Sequence, residues 1–133
     1  MHTNEDLAAI QRLITDYCYF TDVSDLDRLC SLFTEDFEFT GVFGDHHGHA
    51  GMRALHAGRE GTLQPSRHLT FNTVIEVDGE RARARSYIVV LAPSGDALGI
   101  MFAGGYADRF VRQNGRWLFK SRHIHAHPSE TPG

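Results

Sequence analysis

At 133 residues, with 41% apolar and 23% charged residues, the chain has the length and composition of one ordinary globular domain. The formal net charge is −4 and no basic stripe follows one face, which argues against nucleic acid as a partner. Cys18 and Cys30 form neither a disulfide framework nor a metal-type spacing, so a reducing cytoplasm is expected. No apolar run reaches the ~20 residues of a membrane span, and residues 1–6 are too polar for a secretory signal.

In chain order, Leu7, Ile10, Leu13, Ile14, Tyr17, Phe20 and Thr21 recur at three- and four-residue spacing, the period of an amphipathic helix. Thr3 followed by Asp6 has the form of a capping box. Ser24, with Asp25 and Asp27 behind it, starts a second, short helix carrying Leu26, Leu29, Cys30 and Phe33. Residues 37–43 alternate as a strand does. Residues 44–51 read as a glycine- and histidine-rich loop, and residues 52–59 as a short helix.

The second half is built differently. Residues 67–77 alternate, and Asp78-Gly79 marks a hairpin turn. The chain returns over residues 80–91 with Ala82, Ala84, Ser86, Ile88 and Val90 on one face. Residues 93–96 turn it again, residues 98–113 form a long strand, and Gly104-Gly105 within it suggests a bulge or sharp bend. Asn114-Gly115 is a further hairpin turn before the last strand, 116–127. Helices first and an antiparallel meander after them give an α+β fold: a cone-shaped curved antiparallel sheet wrapped around N-terminal helices, with a pocket at its mouth. The chain, 1–133, reads as one domain with a frayed tail at 128–133.

Four stretches carry a resemblance. Residues 17–29, YCYFTDVSDLDRL, resemble the first-helix signature of SnoaL-like proteins, in the nuclear transport factor 2-like (cystatin-like) superfamily. SLFTEDF at 31–37, RHLTFN at 67–72, and GGYADRF at 104–110 with GRWLF at 115–119 are similar to the succeeding strands of that group. Within it the likeness is to the scytalone dehydratase and lindane dehydrochlorinase families, eliminating enzymes that need no cofactor and no metal. The resemblance implies that Asp22 and His68 form an aspartate–histidine pair. The tyrosines with which scytalone dehydratases polarise a carbonyl fall here on Thr21 and Gly41, where this chain departs from the pattern.

Each candidate residue has a chemical reason. Neutral imidazole is a competent base near pH 7, and a carboxylate on its far nitrogen fixes the tautomer. Asn72, four residues after His68 on the strand, is expected on the same face as a donor to substrate oxygen. Tyr17, Tyr19 and Tyr87 are candidate carbonyl donors, with Tyr17 on the apolar side of its helix. Phe39, Phe43, Met101, Phe102 and Trp117 are expected to line an apolar cavity or to pack as plain core. His46, His47 and His49 lie in a loop. His123, His125 and His127 alternate on one strand face, as pocket rim rather than metal ligands. Arg81, Arg83 and Arg85 with Val89, Leu91 and Val111 suit a homodimer or homotrimer interface.

The expected function is a cofactor-independent lyase or isomerase, dehydratase-like, acting on a small, largely apolar carbonyl or polyketide-like compound. The alternatives are a polyketide-cyclase-like aldol cyclase and a non-catalytic small-molecule-binding or oligomerisation module.

Overall fold

Thr3 and Asp6 exchange hydrogen bonds, each side chain accepting from the other's backbone N–H, and this capping box starts helix α1 (Asn4–Asp22). The computed structural model describes residues 3–127, so the tail expected at 128–133 lies outside them. α1 stops at Asp22 because Val23 caps it and Ser24 turns left-handed at φ 52°. The next helix, α2 (Leu26–Cys30), is capped not by Ser24 but by Asp25, which accepts from the Arg28 N–H. Ser24 is the reversing link between the two helices.

Strand β1 spans Phe33–Gly41, starting earlier than alternation suggested because its register slips between Phe33 and Glu38 and masks the period. After the short strand β2 (His46–His47), helix α3 runs over Gly48–Leu55 instead of 52–59. The glycines that read as loop are inside the helix: a Cβ on Gly51 would strike the His46 backbone, so glycine is kept there for close approach. Strands β3 (Arg67–Asp78), β4 (Arg81–Ser94), β5 (Ala97–Gln113) and β6 (Arg116–Ala126) then form the antiparallel meander.

The six strands make one curved sheet in the order β2-β1-β6-β5-β4-β3. β1 lies parallel to β6, so the sheet is mixed at that single junction and antiparallel elsewhere. Left-handed Gly79, Gly95 and the Asn114-Gly115 pair make the hairpin turns. The bulges that curve the sheet fall at Phe71–Val74, Val90–Leu91 and Arg109–Phe110, not at Gly104-Gly105. Those glycines keep the regular register; they are there because a Cβ on Gly104 would meet the His125 carbonyl and one on Gly105 its ring.

α1 lies in the concavity. Its Ile10, Leu13, Ile14 and Tyr17 are buried in one core with Ala82, Ala84, Ile88, Val90, Tyr106, Phe110, Phe119 and Ile124 from the sheet. Beneath α1, Asp108 on β5 faces Arg122 on β6 across the ladder, both side chains 0% exposed, joined by two hydrogen bonds of 2.7 and 2.9 Å. The guanidinium sits 3.5 Å from the Tyr106 ring centre and 4.2 Å from that of Tyr17. Burial works against the Arg122 charge, and the Asp108 carboxylate more than offsets it, so Arg122 stays charged. Among the described residues no helix is long and apolar enough to cross a membrane.

Removing one member of this pair strands the other charge in the core. Asp108→Ala is expected to lower unfolding free energy by about 3–5 kcal/mol, measured by urea titration. Asp108→Leu combined with Arg122→Met should recover most of that loss.

Candidate active site

The end of α1 and the head of β3 place two side chains together. Asp22 Oδ1 stands 2.7 Å from His68 Nδ1, across 46 residues of sequence. The same carboxylate accepts the His68 backbone N–H, at 3.1 Å to Oδ1 and 3.3 Å to Oδ2. An ionised carboxylate only accepts, so Nδ1 is the donor of the bond to Asp22, and Nε2 is the ring nitrogen that Asp22 does not engage. Asp22 is buried and His68 half-buried.

The segment after α3 holds this arrangement in place. The Gln64 N–H donates to the Asp22 carbonyl at 2.7 Å, and the Gly61 N–H to the Ser24 carbonyl at 2.8 Å. Asp22 is therefore anchored through its own backbone as well as through His68. An open cleft of about 360 Å³ lies against the pair between α1 and β3, lined by Thr15, Cys18, Tyr19, Asp22, Arg67, His68, Leu69 and Thr70. A groove of about 380 Å³ lies on the opposite, outer face of the sheet among Val74, Glu76, Arg83, Arg85, Arg109 and His123, away from the pair.

The other candidates are scattered. Asn72 is not on the His68 face: the bulge at Phe71–Val74 shifts the alternation, and Asn72 sits in it, exposed and left-handed at φ 55°. Tyr87 points outward, its ring 5.4 Å from that of His127 and 5.9 Å from that of Phe71. Tyr19 is 67% and Met101 62% exposed. Trp117 is buried at the far end of α1, where its indole N–H donates to Asp6 Oδ1 at 3.0 Å. Asp6 and Asp22 are separated by roughly 24 Å at ~1.5 Å of helix rise per residue. Phe39 packs in the core with its ring 6.1 Å from His46. Phe43 stacks at a tilt on Phe102 near the surface. The expected apolar cavity built from Phe39, Phe43, Met101, Phe102 and Trp117 is thus not assembled, because these residues belong to different ends and faces.

Tyr17 is buried in the core, edge-on to Tyr106 and Phe119 and beside Arg122. Burial pushes its hydroxyl up to about 12, against the Arg122 charge. His46 and His49 bond the carbonyls of Phe43 and Phe33. His123, His125 and His127 lie along the outer face, with His123 Nδ1 2.9 Å from Thr40 Oγ1. Among the described residues no three His, Cys, Asp or Glu side chains converge as metal ligands would.

Sequence reasoning missed His56. It caps the C-terminal end of α3, is 3% exposed, and has no hydrogen-bond partner for Nδ1 or Nε2 among the described residues. Burial, then the neighbouring Arg59 and His68, push its pKa down to about 4, with Glu60 opposing and His46 adding slightly. A signal existed: Met52 and His56 are four apart, on the inward face of one helix. Thr21 Oγ1, Ser86 Oγ and Arg122 Nη1 are further buried polar atoms without a partner among the described residues. Each such group costs about 1–3 kcal/mol unless something satisfies it.

A family model described as the SnoaL-like domain matches residues 2–123. No curated protein matches the chain. Among solved structures, a protein of Novosphingobium aromaticivorans described as NTF2-like with a cystatin-like fold is 25% identical, with a TM-score of 0.86 over 96% of this chain and 85% of that one. A provisionally assigned scytalone dehydratase of the same organism is 26% identical, with a TM-score of 0.75 over 91% and 83%. ActVI-ORFA of Streptomyces coelicolor is 25% identical, with a TM-score of 0.76 over 91% and 97%.

The depressed His56 pKa carries a pH signature. The unfolded chain protonates His56 near 6.5 and the folded protein only near 4. Its contribution to stability is therefore complete above about pH 6.5 and is lost as pH falls from there through about 4. Urea midpoints at pH 7 and pH 4.5 should show a smaller acid loss in His56→Leu than in the parent. Equal losses in both proteins would remove the assignment.

Proposed function

Because the chain belongs to the SnoaL-like domain family, we propose that it is a cofactor-independent lyase of the dehydratase type, acting on a small β-hydroxy carbonyl compound with an aromatic or largely apolar frame. The observation that carries this reading is the Asp22 carboxylate clasping both the backbone and the Nδ1 of His68, which leaves Nε2 as a base. The likeness to a provisionally assigned scytalone dehydratase supports the reaction class.

In the proposed reaction Nε2 removes a proton from the carbon next to the carbonyl. The C–H electron pair becomes the new C=C bond, and hydroxide leaves from the adjacent carbon. The proton on His68 passes to that hydroxide, so the products are an enone and water. Asp22 fixes the tautomer and stabilises the imidazolium while it exists. Aldol cyclisation starts with the same proton abstraction and would use the same pair. The cleft against Asp22 and His68 supports entry of substrate between α1 and β3.

A suitable assay is the dehydration of 3-hydroxy-1-tetralone to 1-naphthol, followed by fluorescence. His68→Ala is expected to lower kcat by about 10²–10⁴-fold with the fold intact, and Asp22→Asn to be similarly severe through loss of the tautomer. EDTA should leave the rate unchanged, since the base is a side chain. An unchanged rate in His68→Ala would refute the dyad; tight binding of such compounds by the wild type without turnover would favour a binding module instead.

We also propose self-association as a homodimer or homotrimer. The outer sheet face carries exposed Arg81, Arg83 and Arg85 beside half-buried Val89, Leu91 and Val111, the mixture of apolar area and arginine that interfaces favour. Sedimentation equilibrium at micromolar concentration is expected to give a multiple of the 14.9 kDa chain, and a monomer throughout would reject the interface.

A further inference from the structure

Two side-chain contacts tie the end of α1 to the head of β3. Asp22 meets His68, and one helical turn earlier Cys18 Sγ stands 3.9 Å from Thr70 Oγ1. Four residues of helix rise about 6 Å and two residues of strand about 6.6 Å, so the contacts run side by side like two rungs. His68 and Thr70 share a face of β3: they pair with Val90 and Ile88 of β4, both buried in the core shared with α1. The bulge at Phe71–Val74 comes only after them, so the alternation from 68 to 70 is intact. All four residues line the one cleft of about 360 Å³.

An elimination of the proposed kind builds negative charge on the carbonyl oxygen as the neighbouring carbon loses its proton, and that oxygen needs a donor already in place. Tyr17 and Tyr87 do not line the cleft. Among the residues that do, Tyr19 is 67% exposed. Thr15 lies seven residues before Asp22, roughly 10 Å along the helix, and its hydroxyl accepts from Gln11. Arg67 alternates to the face opposite His68 and gives Nη1 to the carbonyls of Gln64 and Ser66. Thr70 combines the His68 face, the cleft wall and a hydroxyl whose one contact among the described residues is a long one to sulfur.

We propose that the Thr70 hydroxyl donates to the substrate carbonyl oxygen while His68 takes the proton from the adjacent carbon; this assignment rests on the Asp22–His68 reading. The spacing fits. A base and a donor roughly 6–7 Å apart along the strand can each form a hydrogen bond of about 3 Å to the two ends of one C–C=O unit. Cys18 suits the second rung. Burial pushes its thiol above the usual range, with Arg122 and then Thr70 opposing, so the sulfur keeps its proton. A threonine oxygen can accept that S–H and still turn its own O–H into the cleft.

The test uses 1-tetralone labelled with ¹³C at the carbonyl, which has no hydroxyl to lose, and infrared difference spectroscopy. Binding to the wild type, and to His68→Ala, is expected to lower the carbonyl stretching frequency. Thr70→Val keeps the side-chain shape without the hydroxyl, and should bind 1-tetralone with the frequency unlowered. The same variant should turn over 3-hydroxy-1-tetralone about 10²-fold more slowly with KM little changed. Thr70→Ser, which restores the hydroxyl, should recover most of both signals, an outcome that a purely structural role for the threonine methyl would not give. Should valine not fold, Thr70→Ala against Thr70→Ser makes the same comparison. A frequency still lowered in the variant without the hydroxyl, or a full rate in it, overturns the assignment while leaving the dyad intact. A wild type that does not dehydrate the hydroxyketone overturns both.

Discussion

The buried Asp108–Arg122 pair is the constraint on which the rest of the interior is arranged. Two opposite charges at 0% exposure can only be accommodated if each satisfies the other and the surroundings accept the guanidinium plane. Tyr106, Tyr17 and Phe119 do so, with the Arg122 carbon 3.5, 4.2 and 4.7 Å from their ring centres. Tyr17 belongs to α1 and the others to β5 and β6, so this cluster fixes how the helix lies on the sheet. The C-terminal end of α1 follows from that orientation, and with it the position of Asp22 against His68.

The site adds a second constraint of the same kind. Asp22 serves three masters within one turn: its carbonyl receives Gln64, and its carboxylate receives both the backbone and the ring of His68. No single-residue adjustment of the loop, the helix end or the strand head can occur without disturbing the other two. The geometry of the dyad is thus held by three chain segments. The bond between its two side chains is only one of those ties.

Much of this was legible beforehand, and for identifiable reasons. α1 was visible because its apolar residues repeat at 3.6-residue spacing and Thr3 and Asp6 announce its start. Strands β3 to β6 were visible through alternation and the Asn-Gly and Asp-Gly turns. What failed were positions where a glycine or a bulge has a tertiary cause. Gly51 looked like loop but admits the His46 backbone, and Gly104-Gly105 looked like a bulge but admits His125. Counting in twos from His68 puts Asn72 on the same face, and the bulge at Phe71–Val74 breaks that count. Asp108 and Arg122 could have been read as partners: each stands in the apolar phase of its strand, beside Tyr106 and Phe110 in one case and Ile124 in the other. Trp117 could not have been placed, since only the fold reveals that its indole reaches the opposite end of α1 from Asp22.

The sheet is open, so it has two free edges, and an unpaired edge is a template on which another chain can add a strand. One edge is β2, which is two residues long and offers almost no ladder. The other is β3, the strand that carries His68. A straight β3 would present a long row of unsatisfied amides and carbonyls along the same edge as His68. The bulge at Phe71–Val74, with left-handed Asn72 within it, breaks that row in the middle. Asn72 can thus be understood as a guard against edge-to-edge aggregation, which lets an edge strand carry half-buried His68 without recruiting a neighbour's backbone.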